Sequence, residues 1–125
     1  MQIIDTHTHL YLEQFKDDVD EVIAKSIRSG VEKFIFPAID SSSMQSMHDL
    51  QKKYPSSIYL MSGLHPVYVK ENYKEELDLV VKSLNKHDYV AIGEIGIDLY
   101  WDKTFLKEQQ DAFEFQIRLA ILNDL

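Results

Sequence analysis

Two histidines separated by one residue lie near the start of the chain, in the run Asp5-Thr6-His7-Thr8-His9. Successive side chains of a strand alternate between its faces, so Asp5, His7 and His9 are expected to point the same way. Two imidazoles in this spacing can hold one divalent cation, and Asp5 can accept a proton from a ring nitrogen or orient the site. Surface or strand-capping histidines would give the same pattern, but a position at the end of a buried strand favours a metal site.

A carboxylate and a third histidine occupy comparable positions further along the chain. Glu94 follows the apolar residues 90–92, where a carboxylate is costly unless it is paired or bound to a cation. His65 ends another apolar run, in residues 63–66. For Glu94 the alternative is a structural salt bridge, and for His65 it is a structural or merely exposed role. Asp98 is as well suited to capping a turn as to a functional role.

The remaining histidines and three aromatic residues are weaker candidates. His48 and His87 fall in helical or loop stretches and are predicted to be solvated surface residues. Tyr11, Tyr100 and Trp101 come just after predicted strands. These rings either stack on a base or sugar of a ligand or pack over the mouth of the fold.

The elements that position these residues alternate along the chain. Four short β-rich apolar runs, at 2–7, 33–38, 57–64 and 88–95, alternate with amphipathic stretches. This order predicts an α/β fold with a parallel sheet and crossover helices, and runs such as 34–36 suit strands buried on both faces. Gly30 is predicted to end the first helix, Ser41–Ser43 to cap the second and Thr104 to cap the fourth. The predicted apolar stripes are Phe15, Val19, Val22, Ile23 and Ile27; Met44, Met47 and Leu50; Leu77, Val80, Val81 and Leu84; and Phe113, Ile117, Ala120 and Ile121.

Composition limits the class of protein. The 125 residues are 45% hydrophobic and 27% charged and contain no cysteine, which is typical of a globular domain and excludes disulfides and thiolate metal ligands. No apolar stretch approaches the ~18 residues of a membrane helix, and no signal peptide is recognisable, so we expect a cytoplasmic protein. The net charge of −8 leaves two options. Either the partner is not nucleic acid, or bound cations supply positive charge locally.

Four segments together resemble the TatD family of metal-dependent hydrolases. They are residues 3–10, 63–66 and 91–100, and the segment containing Gln109, Phe113, Gln116, Leu119 and Ala120. The resemblance implies a TIM (β/α)8 barrel of which residues 1–125 are the N-terminal half, the first four βα units. It implies hydrolysis of phosphodiester bonds, typically in DNA, by a metal-activated water and two divalent cations (Mg, Mn or Zn). It assigns His7 and His9 as metal ligands, Glu94 as a metal ligand and catalytic carboxylate, and His65 as a residue near the substrate phosphate.

The chain departs from the family pattern in one respect. Later strands of the family supply two further histidines and an aspartate, which have no counterpart in these 125 residues. We therefore expect this chain to hold one cation, to be inactive or weak alone, and to expose two strand edges through which it can self-associate. Two alternatives stay open. One is a non-catalytic half-barrel that pairs with a copy of itself or with another chain. The other is an amidohydrolase-like enzyme acting on amide or ester bonds.

Overall fold

Four parallel strands form the sheet in the computed structural model, which describes residues 2–125. The strands pair in chain order and are β1 (Ile3–Asp5), β2 (Val31–Phe36), β3 (Ile58–Ser62) and β4 (Ala91–Ile92). The helices are α1 (Val19–Arg28), α2 (Met44–Lys53), α3 (Tyr73–Leu84) and α4 (Leu106–Asn123). Short 3-10 turns lie at Glu13–Phe15, Ser41–Ser43 and Pro66–Tyr68. The predicted α/β half-barrel is confirmed, and β1 and β4 are its two edges.

The core lies between the sheet and the helices. Phe34 and Phe36 of β2 pair in register with Ile58 and Leu60 of β3, and all four side chains are buried. Aromatic and β-branched residues suit this position because they pack well on a pleated surface. The opposite face of β2 is only partly covered, as Ile35 shows. Burial on both faces was therefore predicted wrongly for these residues, because the helices of this chain cover one side of the sheet.

The helix ends follow local backbone chemistry. Gly30 follows α1 with a φ of 105°, a left-handed conformation that only glycine adopts without strain, so it ends the helix as predicted. Ser43 is the N-cap residue of α2, within the predicted cluster, but its side chain makes no capping hydrogen bond. The Asp40 carboxylate accepts a hydrogen bond from the Ser42 backbone N–H at 3.0 Å, and the serines themselves form the 3-10 turn. Thr104 does not cap α4, because the helix begins at Leu106.

Helix α4 turns a different face to the sheet from the one predicted. Its buried residues are Gln109, Ala112, Gln116 and Leu119. Ile117 and Ile121 of the predicted stripe are 40% and 74% exposed. The stripe was misassigned because two buried positions are glutamines, which hydrophobic periodicity counts as polar. None of the helices in residues 2–125 combines the length and apolar content needed to cross a bilayer.

Candidate metal centre

Three side chains from the two edges of the sheet converge on one point. His7 and His9 follow β1, and their Nε2 atoms lie 3.2 Å apart. Glu94 follows β4, and its Oε2 lies 3.1 Å from His7 Nε2 and 3.6 Å from His9 Nε2. The sheet must curl for this to happen, since β1 and β4 are not hydrogen-bonded to each other. The structure thus brings together the three residues that the sequence suggested as metal ligands.

Backbone hydrogen bonds draw Glu94 across the end of the sheet. Ala38, just after β2, donates its N–H to the Gly93 carbonyl at 2.9 Å, and Glu94 donates its N–H to the Ala38 carbonyl at 3.0 Å. Gly93 also donates to the Ser62 carbonyl at 2.9 Å. The chain after β4 is therefore tied to the ends of both β2 and β3. This arrangement carries the Glu94 side chain toward the histidines that follow β1.

The spacing of the donor atoms fits a single divalent cation. Ligands about 2.0–2.1 Å from a tetrahedral ion are separated by roughly 3.3 Å, which the three distances of 3.1–3.6 Å match. Two imidazole lone pairs and a carboxylate facing one another would repel unless a proton or a cation lies between them. Within residues 2–125, no other group of three histidine, aspartate or glutamate side chains converges in this way.

Tyr11 determines which nitrogen of His9 faces the centre. The Tyr11 hydroxyl donates to the Pro37 carbonyl at 2.6 Å, so it can only accept the proton of His9 Nδ1, 2.7 Å away. His9 Nε2 is therefore left with its lone pair, as metal binding requires. Burial raises the pKa of Tyr11, which keeps the phenol protonated. Burial and then the neighbouring His7 lower the pKa of His9, which favours the neutral ring.

This role of Tyr11 was not predicted. Tyr11 is 6% exposed, so its ring is not open to a ligand; it packs against Phe36 at the end of β2 instead. The signal was present in the sequence, since Tyr11 continues the alternation of Asp5, His7 and His9. Asp5 itself accepts the His7 backbone N–H at 3.2 Å and holds the turn, rather than contacting a ring.

His65 lies on the other side of Glu94. Its Nε2 is 3.3 Å from Glu94 Oε1, the oxygen turned away from the histidine pair. Val67 donates its backbone N–H to His65 Nδ1 at 3.1 Å, so the ring proton is on Nε2 and points toward the centre. His65 can therefore donate a hydrogen bond to an anionic group that binds beside Glu94.

The other candidates lie in structural roles or away from the centre. The Asp98 carboxylate accepts the Tyr100 backbone N–H at 2.9 Å, which is the turn-capping option. His48 was predicted to be a solvated surface residue, which is wrong. It is partly buried, and its Nε2 lies 2.9 Å from the Tyr89 hydroxyl, because α2 packs this face against the segment before β4. His87 is exposed as predicted, with its ring 4.0 Å from that of His48.

Comparisons with known proteins agree with the fold and identify the family. Residues 4–125 match the family model for TatD related DNase. The metal-dependent hydrolase YabD of Bacillus subtilis, itself uncharacterized, is 35% identical over 119 residues, which are 94% of this chain and 46% of YabD. The crystal structure of YjjV, a TatD homologue from Escherichia coli K12, superposes with a TM-score of 0.88 at 30% identity, over 98% of this chain and 48% of that one.

A further relative is named as a nuclease. The 3'-5' ssDNA/RNA exonuclease TatD of Citrobacter koseri is 28% identical over 94% of this chain and 45% of that protein. The chain spans about half the length of the curated relatives it matches. The predicted family and the half-barrel fold are both confirmed. The chain belongs to the TatD family of metal-dependent hydrolases.

Proposed function

We propose that the protein is a metal-dependent nuclease that hydrolyses phosphodiester bonds in nucleic acid. The observation that carries the proposal is the convergence of His7, His9 and Glu94, with donor atoms 3.1–3.6 Å apart and the His9 lone pair oriented by Tyr11. The proposed ligands are these three side chains, and the proposed ion is Mg, Mn or Zn.

Each of these side chains has a different proposed role in phosphodiester hydrolysis. When bound, a divalent cation polarises a phosphoryl oxygen and lowers the pKa of a water molecule. His7 and His9 contribute neutral nitrogens, and the Glu94 carboxylate contributes negative charge through Oε2. Glu94 Oε1 faces away from the histidine pair and can accept a proton. His65 Nε2–H, 3.3 Å from that oxygen, can donate to a non-bridging oxygen of the substrate phosphate.

The proposed substrate is single-stranded DNA or RNA. The name of the Citrobacter koseri relative supports this choice. A net charge of −8 argues against binding of nucleic acid by general electrostatic attraction to its phosphates. Local positive charge from bound cations explains better how an acidic chain accepts a polyanion.

We further propose that the 125 residues have little hydrolytic activity when assayed alone. Residues 2–125 bring together one group of three donors, whereas hydrolysis with two cations needs a second set. The relatives are about twice as long, and strands beyond those of this chain are the proposed source of that second set.

The test is hydrolysis of an end-labelled single-stranded oligonucleotide by the protein, with Mg²⁺, Mn²⁺ or Zn²⁺ added in turn. Glu94→Gln is expected to lower the rate by at least about a hundredfold, because it removes both a ligand charge and a proton acceptor. Glu32→Gln is the matched control, since Glu32 is exposed on β2. A wild-type rate in Glu94→Gln would contradict the proposal. Cleavage of amide or ester substrates alone would point to the amidohydrolase-like alternative.

A further inference from the structure

Two neighbouring aromatic rings are exposed on the segment that follows Glu94 and β4. Tyr100 and Trp101 are 82% and 78% exposed, the highest values for aromatic side chains in residues 2–125. They lie between β4 and α4, on the same segment that supplies Glu94. Their rings meet edge to face, with centroids 4.7 Å apart and planes at 86°. This geometry leaves ring faces open to solvent.

The segment that carries the two rings is firmly held. The Gln109 side chain accepts the Asp98 backbone N–H at 2.8 Å and donates to the Asp98 carbonyl at 3.0 Å. The Asp98 carboxylate accepts the Tyr100 N–H at 2.9 Å, and the Asp102 carboxylate accepts the Thr104 N–H at 2.8 Å. Hydrogen bonds thus fix the backbone on both sides of the rings. The exposure of the rings is therefore built into a defined turn.

A cation and the His65 segment lie beside Trp101. Trp101 lines a small cavity of about 50 Å³ together with Val67 and Lys70, which follow His65 between β3 and α3. The Lys70 Nζ is 3.7 Å from an Asp102 carboxylate oxygen and stands over the Phe105 ring at 5.1 Å. Trp101 and the Lys70 side chain therefore border the same cavity, between the segment that follows His65 and the segment that follows Glu94.

We propose that Tyr100 and Trp101 form a stacking site for an unpaired nucleobase next to the bond that is cut, with Lys70 contacting the adjoining phosphate. The inference rests on the proposed nuclease function and names the feature of the substrate that this part of the site recognises. Stacking tolerates any base and needs little positive charge, which suits an acidic chain. Bases inside a duplex are already stacked, so the site selects single-stranded ends.

Binding is measured without catalysis, using tryptophan fluorescence of the protein in the presence of a metal chelator. The titrants are a single-stranded oligonucleotide, the same strand with abasic tetrahydrofuran units at its ends, and a blunt duplex. Trp101 is the single tryptophan of the 125 residues, so the signal reports on this ring alone. We expect saturable quenching by the first titrant and none by the other two. Equal quenching by all three titrants, or no quenching by the ordinary single strand, would overturn the proposal.

Hydrolysis supplies a second, independent test. Trp101→Ala is expected to raise KM for the ordinary single strand by about tenfold or more, with little change in kcat or in KM for the abasic strand. Phe115→Ala on α4, another exposed aromatic, is the control. A fall in melting temperature of several degrees, or an equal loss on both strands, would show that the ring packs within the protein, and would overturn the stacking role. Base-dependent quenching together with hydrolysis that Glu94→Gln leaves at the wild-type rate would refute the proposed function and leave the stacking site standing.

Discussion

The side-chain amide of Gln116 on α4 forms two hydrogen bonds with the backbone of Leu64, 52 residues earlier in the chain. The Leu64 N–H donates to Gln116 Oε1 at 2.7 Å, and Gln116 Nε2 donates to the Leu64 carbonyl at 3.2 Å. All of these groups are buried. Because Leu64 precedes His65, this contact fixes the end of β3 from which His65 reaches Glu94.

Gln116→Leu keeps the size of the side chain but leaves the Leu64 N–H and carbonyl without these partners. We expect the free energy of unfolding to fall by roughly 1–3 kcal/mol, the cost of an unsatisfied buried polar group. Urea denaturation measures the change. Gln110→Leu, exposed on the same helix, is the matched control and is expected to change stability little. Equal stability of the two variants would mean that the Gln116 amide does not hold β3 in place.

The chain segments after β3 and β4 approach each other at Gly63 and Gly93. The two positions differ in how well they would tolerate a side chain. A Cβ on Gly63 would lie 2.8 Å from the Gly93 carbonyl carbon, which is backbone. A Cβ on Gly93 would lie 2.8 Å from the sulfur of Met61, which can move. Gly63→Ala is therefore expected to lower stability by roughly 1–3 kcal/mol, and Gly93→Ala by less.

Thermal unfolding of the two glycine variants checks this order. Met61→Ala is expected to restore part of the stability lost in Gly93→Ala, because it removes the atom that the new methyl group meets. The same change is not expected to rescue Gly63→Ala. If Gly93→Ala were the more damaging variant, the close approach described for Gly63 would not govern the packing of these strand ends.

Acidification is expected to destabilise the protein partly through His48. Burial and then the neighbouring His87 lower the pKa of His48 from its ordinary value of 6.5. At pH values between the lowered and the ordinary pKa, the unfolded chain binds more protons than the folded chain. The free energy of unfolding therefore rises with pH in this range, and it falls as the pH drops through about 6.5.

Melting temperatures recorded from about pH 7.5 down to about pH 5.5 test this sign. His48→Gln is expected to show a flatter pH dependence than the wild type. Tyr89→Phe removes the hydroxyl that lies 2.9 Å from His48 but leaves the histidine in place. The melting temperature of this variant should therefore keep the pH dependence of the wild type. An identical slope in the wild type and His48→Gln would rule out His48 as a contributor.

The Tyr11 hydroxyl is expected to increase metal affinity although it does not contact the ion. Tyr11→Phe removes the hydroxyl that accepts the His9 Nδ1 proton, so the ring loses its fixed tautomer and orientation. We expect metal affinity to fall by about 10–100-fold, the usual effect of losing such a partner. Isothermal titration with Zn²⁺ or Mn²⁺ measures it. Tyr54→Phe, which loses a hydroxyl bonded to Asp20 instead, should bind like the wild type.

Much of the fold and of the proposed ligand set could be predicted because both follow from local patterns. Alternating strand and helix signals located the sheet, and polar residues at strand ends indicated His7, His9, His65 and Glu94. Contacts between distant segments were not predictable in the same way. The burial of Gln116 depends on which backbone groups at the end of β3 need partners, and hydrophobic periodicity carries no such information. The contact between His48 and Tyr89 likewise depends on how α2 meets the segment before β4.

Equilibrium dialysis with Zn²⁺ at neutral pH measures whether His7, His9 and Glu94 hold a metal ion. We expect the wild-type protein to retain the ion, and His9→Ala and Glu94→Gln each to weaken binding by at least about tenfold. His48→Ala, which removes a histidine outside the proposed centre, should bind as the wild type does. Unchanged binding in both His9→Ala and Glu94→Gln would show that these side chains do not hold the ion and that the proposed metal centre is wrong.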